Sequence, residues 1–209
     1  MFRLPERVSR SRLIWLCVVL AGCATAPRAP LTADQQITAL GHLDAFELSG
    51  RVAVTRLAAG KAEQGVNASV EWQQQQGKSK LKLTGLFGVG GLQLEYSADE
   101  IKVISANGEV FTHDDAEQLL VHELGFLPPF ASLAFWARGV AAPGVAPLEQ
   151  SRDANGLLQQ LQQEDWRIVY DPPHRAVHSA AGDLLLPTRL TATNGDLKLK
   201  LVIDRWRIK

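Results

Sequence analysis

The sequence predicts a mostly β (α+β), antiparallel domain with two or three helices set into its middle. Three observations predict it. Apolar and polar residues alternate from about residue 46 to residue 103. The spacing then becomes helical between residues 114 and 139, and the alternation afterwards returns and continues to the C-terminus.

Each element follows from its residues. Phe46, Leu48, Gly50, Val52 and Val54 alternate with Glu47, Ser49, Arg51 and Ala53. Val66, Ala68, Val70 and Trp72 form a second such series, Leu81 and Leu83 a third, and Leu92, Leu94 and Tyr96 a fourth. One apolar and one wet face per strand is the mark of an antiparallel sheet. Ala58-Ala59-Gly60 and the Gln73–Gly77 stretch read as hairpin loops. Ile101 and Val103 begin a further strand, closed by Asn107-Gly108.

Asp114 is placed to cap a helix, with Glu117 three residues on to complete a capping box. Ala116, Leu119, Leu120 and Leu124 share its apolar side, and Gly125 suits its stop. Pro129 opens a second helix, with Phe130, Leu133, Ala134 and Trp136 before Gly139. Residues 140–148 read as a connection. Asn155-Gly156 marks a turn before the Gln-rich 157–163 stretch. Trp166, Ile168 and Tyr170 then alternate, and Leu184 to Pro187 ends a strand on a proline. The last strand runs through Leu197, Leu199, Leu201 and Ile203. Its phase slips before Trp206 and Ile208, so a bulge is expected near Asp204.

An apolar sheet face must be covered, and only the two central helices are amphipathic enough to cover it. They carry few apolar residues for so wide a sheet. A partly hollow, apolar interior follows, of the kind that suits hydrophobic ligands.

The N-terminus carries a second message. Arg3, Arg7, Arg10 and Arg12 precede an apolar run from Leu13 to Leu20, and Leu20-Ala21-Gly22-Cys23-Ala24 follows. A basic region, a short apolar region and small residues are the layout of a secretory signal. The run is far short of the roughly 20 residues that span a bilayer. The Leu-Ala-Gly-Cys sequence resembles the lipobox of bacterial lipoproteins. That likeness implies removal of residues 1–22 and an N-acyl diglyceride on Cys23, and Ala24 beside it implies sorting to the outer membrane. Residues 24–40, with Pro27 and Pro30, read as the tether within a 23–44 linker. Order is expected to begin near Phe46, in a domain over 45–209.

Composition narrows the function classes. Removing 1–22 takes four of the 22 basic and one of the 22 acidic residues, leaving 18 and 21. That mild acidity argues against a nucleic-acid partner, which calls for a basic patch. Cys17 leaves with the signal, so Cys23 is the only remaining cysteine and no internal disulfide or thiolate metal cluster can form.

The strand and helix segments, taken together, resemble the LolB family of outer-membrane lipoprotein receptors. Phe46 to Val54 is similar to its opening strand, and Leu83-Thr84-Gly85-Leu86-Phe87-Gly88 followed by Leu92-Gln93-Leu94 to its next distinctive segment. Asp114 to Leu120 and Leu133 to Gly139 resemble its two helices. Trp166 to Tyr170, Leu186-Pro187 and the closing Leu199-to-Trp206 strand match in order and spacing. The resemblance implies an incomplete antiparallel β-barrel of about eleven strands, with a helical lid enclosing an apolar cavity. It implies a monomer without catalysis, metal or other cofactor, anchored in the outer membrane and facing the periplasm. It also implies the partners: a LolA-type periplasmic carrier, acylated lipoprotein clients and outer-membrane phospholipid. Cavity residues are expected to be Val52, Val54, Val70, Trp72, Leu83 and Leu94 from strands, with Leu120, Leu133 and Trp136 from helices. Trp136 is as well accounted for by plain core packing.

Leu86-Phe87-Gly88-Val89-Gly90-Gly91 joins two alternating strands, and apolar residues are unexpected in such a loop. By the resemblance it is the loop that places cargo in the membrane. Phe87 stands where the family carries a leucine and Leu86 where it carries a proline, so either is the candidate tip. An exposed aromatic suits interfacial insertion; core packing under the lid is the other reading. The loop's glycines are not a phosphate loop, because a strand follows them and no Lys-Ser/Thr pair does.

Other clusters carry little. His174 and His178 follow Pro172-Pro173 and lack the glutamate of a zinc helix, so a solvated loop is expected. His113-Asp114-Asp115 is better explained by capping, and His42 and His122 have no obvious partner. Arg51 and Arg138 are candidates for an acidic carrier surface or a lipid head group, with plain solvation as the alternative. No Gly-x-Ser-x-Gly elbow or nucleophile–base set occurs, so no catalysis is expected. The competing function class is a non-catalytic outer-membrane assembly lipoprotein that docks partners through its sheet.

Overall fold

Thirteen strands and three helices are described by the computed structural model, which covers residues 31–58, 61–85, 91–180 and 182–208. The strands are β1 (Ala45–Ala58), β2 (Lys61–Gln75), β3 (Lys78–Thr84), β4 (Gly91–Tyr96), β5 (Ile101–Ser105) and β6 (Val110–Thr112), followed by helices α2 (His113–Leu124) and α3 (Phe130–Arg138). Then come β7 (Glu149–Arg152), β8 (Leu158–Gln163), β9 (Trp166–Tyr170), β10 (His174–Ser179), β11 (Gly182–Pro187), β12 (Arg189–Asn194) and β13 (Leu197–Ile208). A helix, α1 (Ala33–Gly41), precedes them all.

Eleven strands form one open antiparallel sheet in the order β6-β5-β4-β3-β2-β1-β13-β12-β9-β8-β7. The sheet does not close. Its edges are strands of three and four residues, too short to template further pairing. β10 and β11 form a separate hairpin.

Register aligns the apolar positions into rows. Leu48, Trp72, Leu81, Leu94 and Val103 stand opposite one another across β1 to β5. All five are buried, while their strand neighbours face water. Fully burying a leucine such as Leu94 contributes about 1.5–3 kcal/mol. Across the β1–β13 seam, Ser49 pairs with Arg205 and Gly50 with Ile203, leaving Asp204 as the extra residue. This is the bulge that the phase slip predicts, and it lets Ile203 and Trp206 both face inward. Gly50 is required there, because a Cβ would stand 2.0 Å from the Val202 carbonyl oxygen.

Four expectations need correction. Ordered structure starts before Phe46: Thr32 caps α1 through a capping box with Gln35, and buried Leu40 joins the core. Buried Gln36 fixes α1 to β11, donating to the Leu185 carbonyl at 2.9 Å and accepting from the Leu185 amide at 3.3 Å. Polar pairing with a distant strand leaves no periodic apolar signal. For α2, the N-cap is Thr112 and no capping box forms. Asp114 and Asp115 lie within the first turn, where their charge suits the helix dipole. Gln73 to Gln75 belong to β2, so the hairpin turn is only Gln76-Gly77. Finally, His174 and His178 lie on β10, and His178 pairs with Asp183 at 2.9 Å.

Candidate functional site: an apolar cavity under the helices

One face of β1–β4 and β13, covered by α2, α3 and the segment between them, encloses an apolar cavity of about 70 Å³. Sixteen of the described residues line it, and none of these carries a charged, amide or hydroxyl side chain. Val52 and Val54 of β1, Val70 and Trp72 of β2, Leu83 of β3 and Leu94 of β4 belong to this lining. Leu120 of α2 and Leu133 of α3 close it from above. Pro128 and Phe130, which periodicity had not marked for the cavity, complete the roof, with Tyr96 stacked 5.6 Å from Phe130. Leu199 and Leu201 of β13 complete the floor, their strand remote in sequence but next to β1 in the sheet.

Trp136 does not line this cavity. It is wholly buried beside Trp166, 6.2 Å away, and its Nε1 donates to Gln163 Oε1 at 2.9 Å. Gln163 uses its whole amide. Its Oε1 also accepts from the Ala142 amide at 2.8 Å, and its Nε2 donates to the carbonyls of Ala142, at 2.7 Å, and Val145. The hydroxyl of Tyr170 donates to the Trp136 carbonyl at 2.9 Å, and burial raises its pKa. Helical spacing identified Trp136 as inward-facing; it could not reveal that the inward direction holds a polar network.

Arg138 is buried as well, contrary to the expectation of a surface cation. Its Nε donates to the Ala134 carbonyl at 3.0 Å, its Nη1 to the Leu43 carbonyl, and its guanidinium lies 4.3 Å from the Phe135 ring centre. Burial pulls its pKa down to about 10, partly offset by Asp44, so it keeps its charge at neutral pH. Arg51 is exposed and pairs with Asp204 at 3.2 Å.

The two helices are held differently. α3 is tied by the Trp136 bond to Gln163, by the Arg138 Nη1 bond to the Leu43 carbonyl and by Ser132 Oγ, which donates to Glu164 Oε1 at 2.7 Å. α2 lies against β5 and β6, and the residues it buries are apolar, Ala116 and Leu120. At its C-terminal end, Arg56 of β1 donates to the Gly125 carbonyl at 3.0 Å and pairs with Asp196 at 3.5 Å.

Cys23, Leu86 and Phe87 lie outside the described residues. β3 and β4 pair down to Thr84 and Gly91. Among the described residues, no helix is long and apolar enough to cross a membrane, and no cluster of three His, Cys, Asp or Glu residues stands ready for a metal.

The family model described as outer membrane lipoprotein LolB matches residues 44–206. The chain belongs to the LolB family. It is therefore an outer-membrane lipoprotein of a non-catalytic family that serves lipoprotein localisation. The outer-membrane lipoprotein LolB of Chromohalobacter salexigens is 32% identical over 215 residues, covering 98% of this chain and 94% of that one. The LolB of Aeromonas hydrophila is 34% identical over 193 residues, covering 91% and 92%. Among solved structures, a LolA superfamily protein from Nitrosomonas europaea has the same fold: TM-score 0.51, 10% identity, 86% of this chain and 94% of that one.

Proposed function

We propose that this LolB-family chain is the receptor that accepts lipoproteins from a LolA-type carrier and inserts them into the inner leaflet of the outer membrane. In this reading residues 1–22 are removed and Cys23 carries the N-acyl diglyceride. The chain up to α1 then holds a monomeric domain at the membrane. The supporting observation is a cavity lining without a charged, amide or hydroxyl side chain, built from strands and helices together. It offers acyl chains a place out of water and gives the charges of a headgroup or nucleic acid nothing to pair with.

At about 70 Å³ the cavity is small against the roughly 300–1,000 Å³ usual for ligand sites. Uptake therefore requires the roof to move. α2 is the part that moves, since apolar contacts and one arginine hold it while a hydrogen-bonded network anchors α3. Each methylene buried contributes about 0.8 kcal/mol, so small differences in fit, summed over acyl chains, set the direction of transfer without an energy source. Release into the bilayer is assigned to the Leu86-Phe87 segment, whose apolar residue types suit the interface.

The test is transfer of a purified lipidated client from its carrier to the mature chain carrying Cys23→Ser. One-to-one transfer is expected. Phe87→Glu in the anchored protein should leave uptake intact and stop delivery to membranes. Absence of transfer to a folded chain from an active carrier would favour the assembly-lipoprotein reading. Loss of uptake in a folded Phe87→Glu chain would place Phe87 in the cavity instead.

A further inference from the structure

Trp72 is buried to 3% exposure and lines the cavity. Its Nε1 is, among the described residues, the one buried side-chain nitrogen or oxygen with no hydrogen-bond partner. The contrast with two other buried tryptophans is direct. Trp136 Nε1 donates to Gln163 at 2.9 Å and Trp206 Nε1 to the Pro187 carbonyl at 2.7 Å. Around Trp72 the cross-strand neighbours are Leu48 and Leu81, and Phe46 meets its ring edge-on at 5.9 Å. None of these side chains carries an acceptor. A buried donor without a partner is costly, and each one that a native fold keeps calls for a physical explanation. Of the sixteen lining residues, Trp72 alone has a side-chain N–H or O–H.

We propose that the Trp72 indole N–H is the polar anchor of the cavity, donating a hydrogen bond to the carbonyl oxygen of an ester- or amide-linked acyl chain. The inference rests on the acyl-cavity reading above and adds to it a ligand chemistry and a register. Chains that carry a carbonyl at their attachment point are held with that end at Trp72, while the rest of the cavity, having no donor, recognises only length and shape. A phenylalanine would fill most of the space. The indole supplies the one interaction that distinguishes an acyl chain from a bare alkyl chain.

The test compares two probes on the mature chain carrying Cys23→Ser: monoolein, which is an ester, and its alkyl ether counterpart, which lacks the carbonyl. The native cavity should bind the ester about five- to tenfold more tightly, the usual worth of one net hydrogen bond. In Trp72→Phe the ratio of ester to ether affinity should fall to about one, whatever the substitution does to the two affinities together. A second measurement needs no variant. With ¹⁵N-labelled indoles, the Trp72 Nε1–H proton resonance should move downfield with monoolein and not with the ether. Equal binding of both probes to the native chain, or an ester preference that survives in Trp72→Phe, would overturn the anchor and leave the cavity reading standing. Failure of both probes to bind the folded native chain would overturn the cavity reading itself, and the anchor with it.

Discussion

Two regions under the helices are built on opposite terms. Around Trp136, Gln163, Tyr170 and Arg138, each buried polar group has a partner, and the chain crosses itself through hydrogen bonds spanning β8, β9, α3 and the 140–145 segment. Around Val52, Val54, Leu83 and Leu120 only carbon meets carbon, and several of the strand residues remain half-buried. Hydrogen bonds are directional and specify one geometry, whereas apolar contacts tolerate sliding and replacement. The first region is a fixed frame. The second is a space walled by carbon alone. On the proposed function, a single fold then holds its cover rigidly at one end and releases it at the other.

The largest effect should come from the fixed region. Gln163→Leu leaves the Trp136 indole N–H, the Ala142 amide and two carbonyls without partners, and should cost about 3 kcal/mol or more. Leu83→Ala, at a half-buried position lining the cavity, should cost nearer 1 kcal/mol, because only part of a leucine is withdrawn from water there. Denaturant unfolding of both variants checks the difference; equal losses would dissolve the distinction between frame and cavity.

A smaller effect should follow from Arg56→Ala. Its ion pair with Asp196 is exposed and contributes under about 1 kcal/mol, so global stability should barely change. The bond to the Gly125 carbonyl nevertheless ties β1 to the end of α2. Amide exchange in α2 should therefore quicken, and an apolar fluorescent probe should bind faster. Unchanged exchange in α2 would place the moving element elsewhere.

The smallest effect should be at His174. Partial burial lowers its pKa below 6.5, with Asp153 pulling the other way. The unfolded chain then binds a proton more readily than the folded one, so stability falls as pH drops through about 6.5. His174→Gln should flatten the Tm profile below that pH and leave it unchanged at pH 8. His174 belongs to the β10–β11 hairpin, so probe binding in the cavity should not respond.

Much of the fold was legible because period two is a direct consequence of a sheet with one dry face. The strands from Phe46 to Val103, the helices with their stops at Gly125 and Gly139, and the bulge at Asp204 all follow from that arithmetic. Eight of the nine residues chosen for the cavity line one pocket, since inward-facing positions of adjacent strands must converge. The buried polar residues were not legible. Gln36, Gln163 and Arg138 fold inward, and hydropathy reads them as surface. Their burial depends on partners 149, 21 and 95 residues away, at Leu185, Ala142 and Leu43. Helix α1 was missed for that reason.

The sequence by itself determined the lipobox-like Leu-Ala-Gly-Cys pattern, the alternation, the helical interruption and hence the family-like architecture, all of which are local patterns of residue type. Tertiary structure alone decided which buried tryptophan is bonded and which is left open. Trp136 and Trp72 are equally apolar in pattern and equally hidden from water. Only the placement of Gln163 beside one, and of carbon around the other, separates a structural residue from a residue facing the cavity. That difference arises from contacts between distant strands, and no local pattern of residues encodes it.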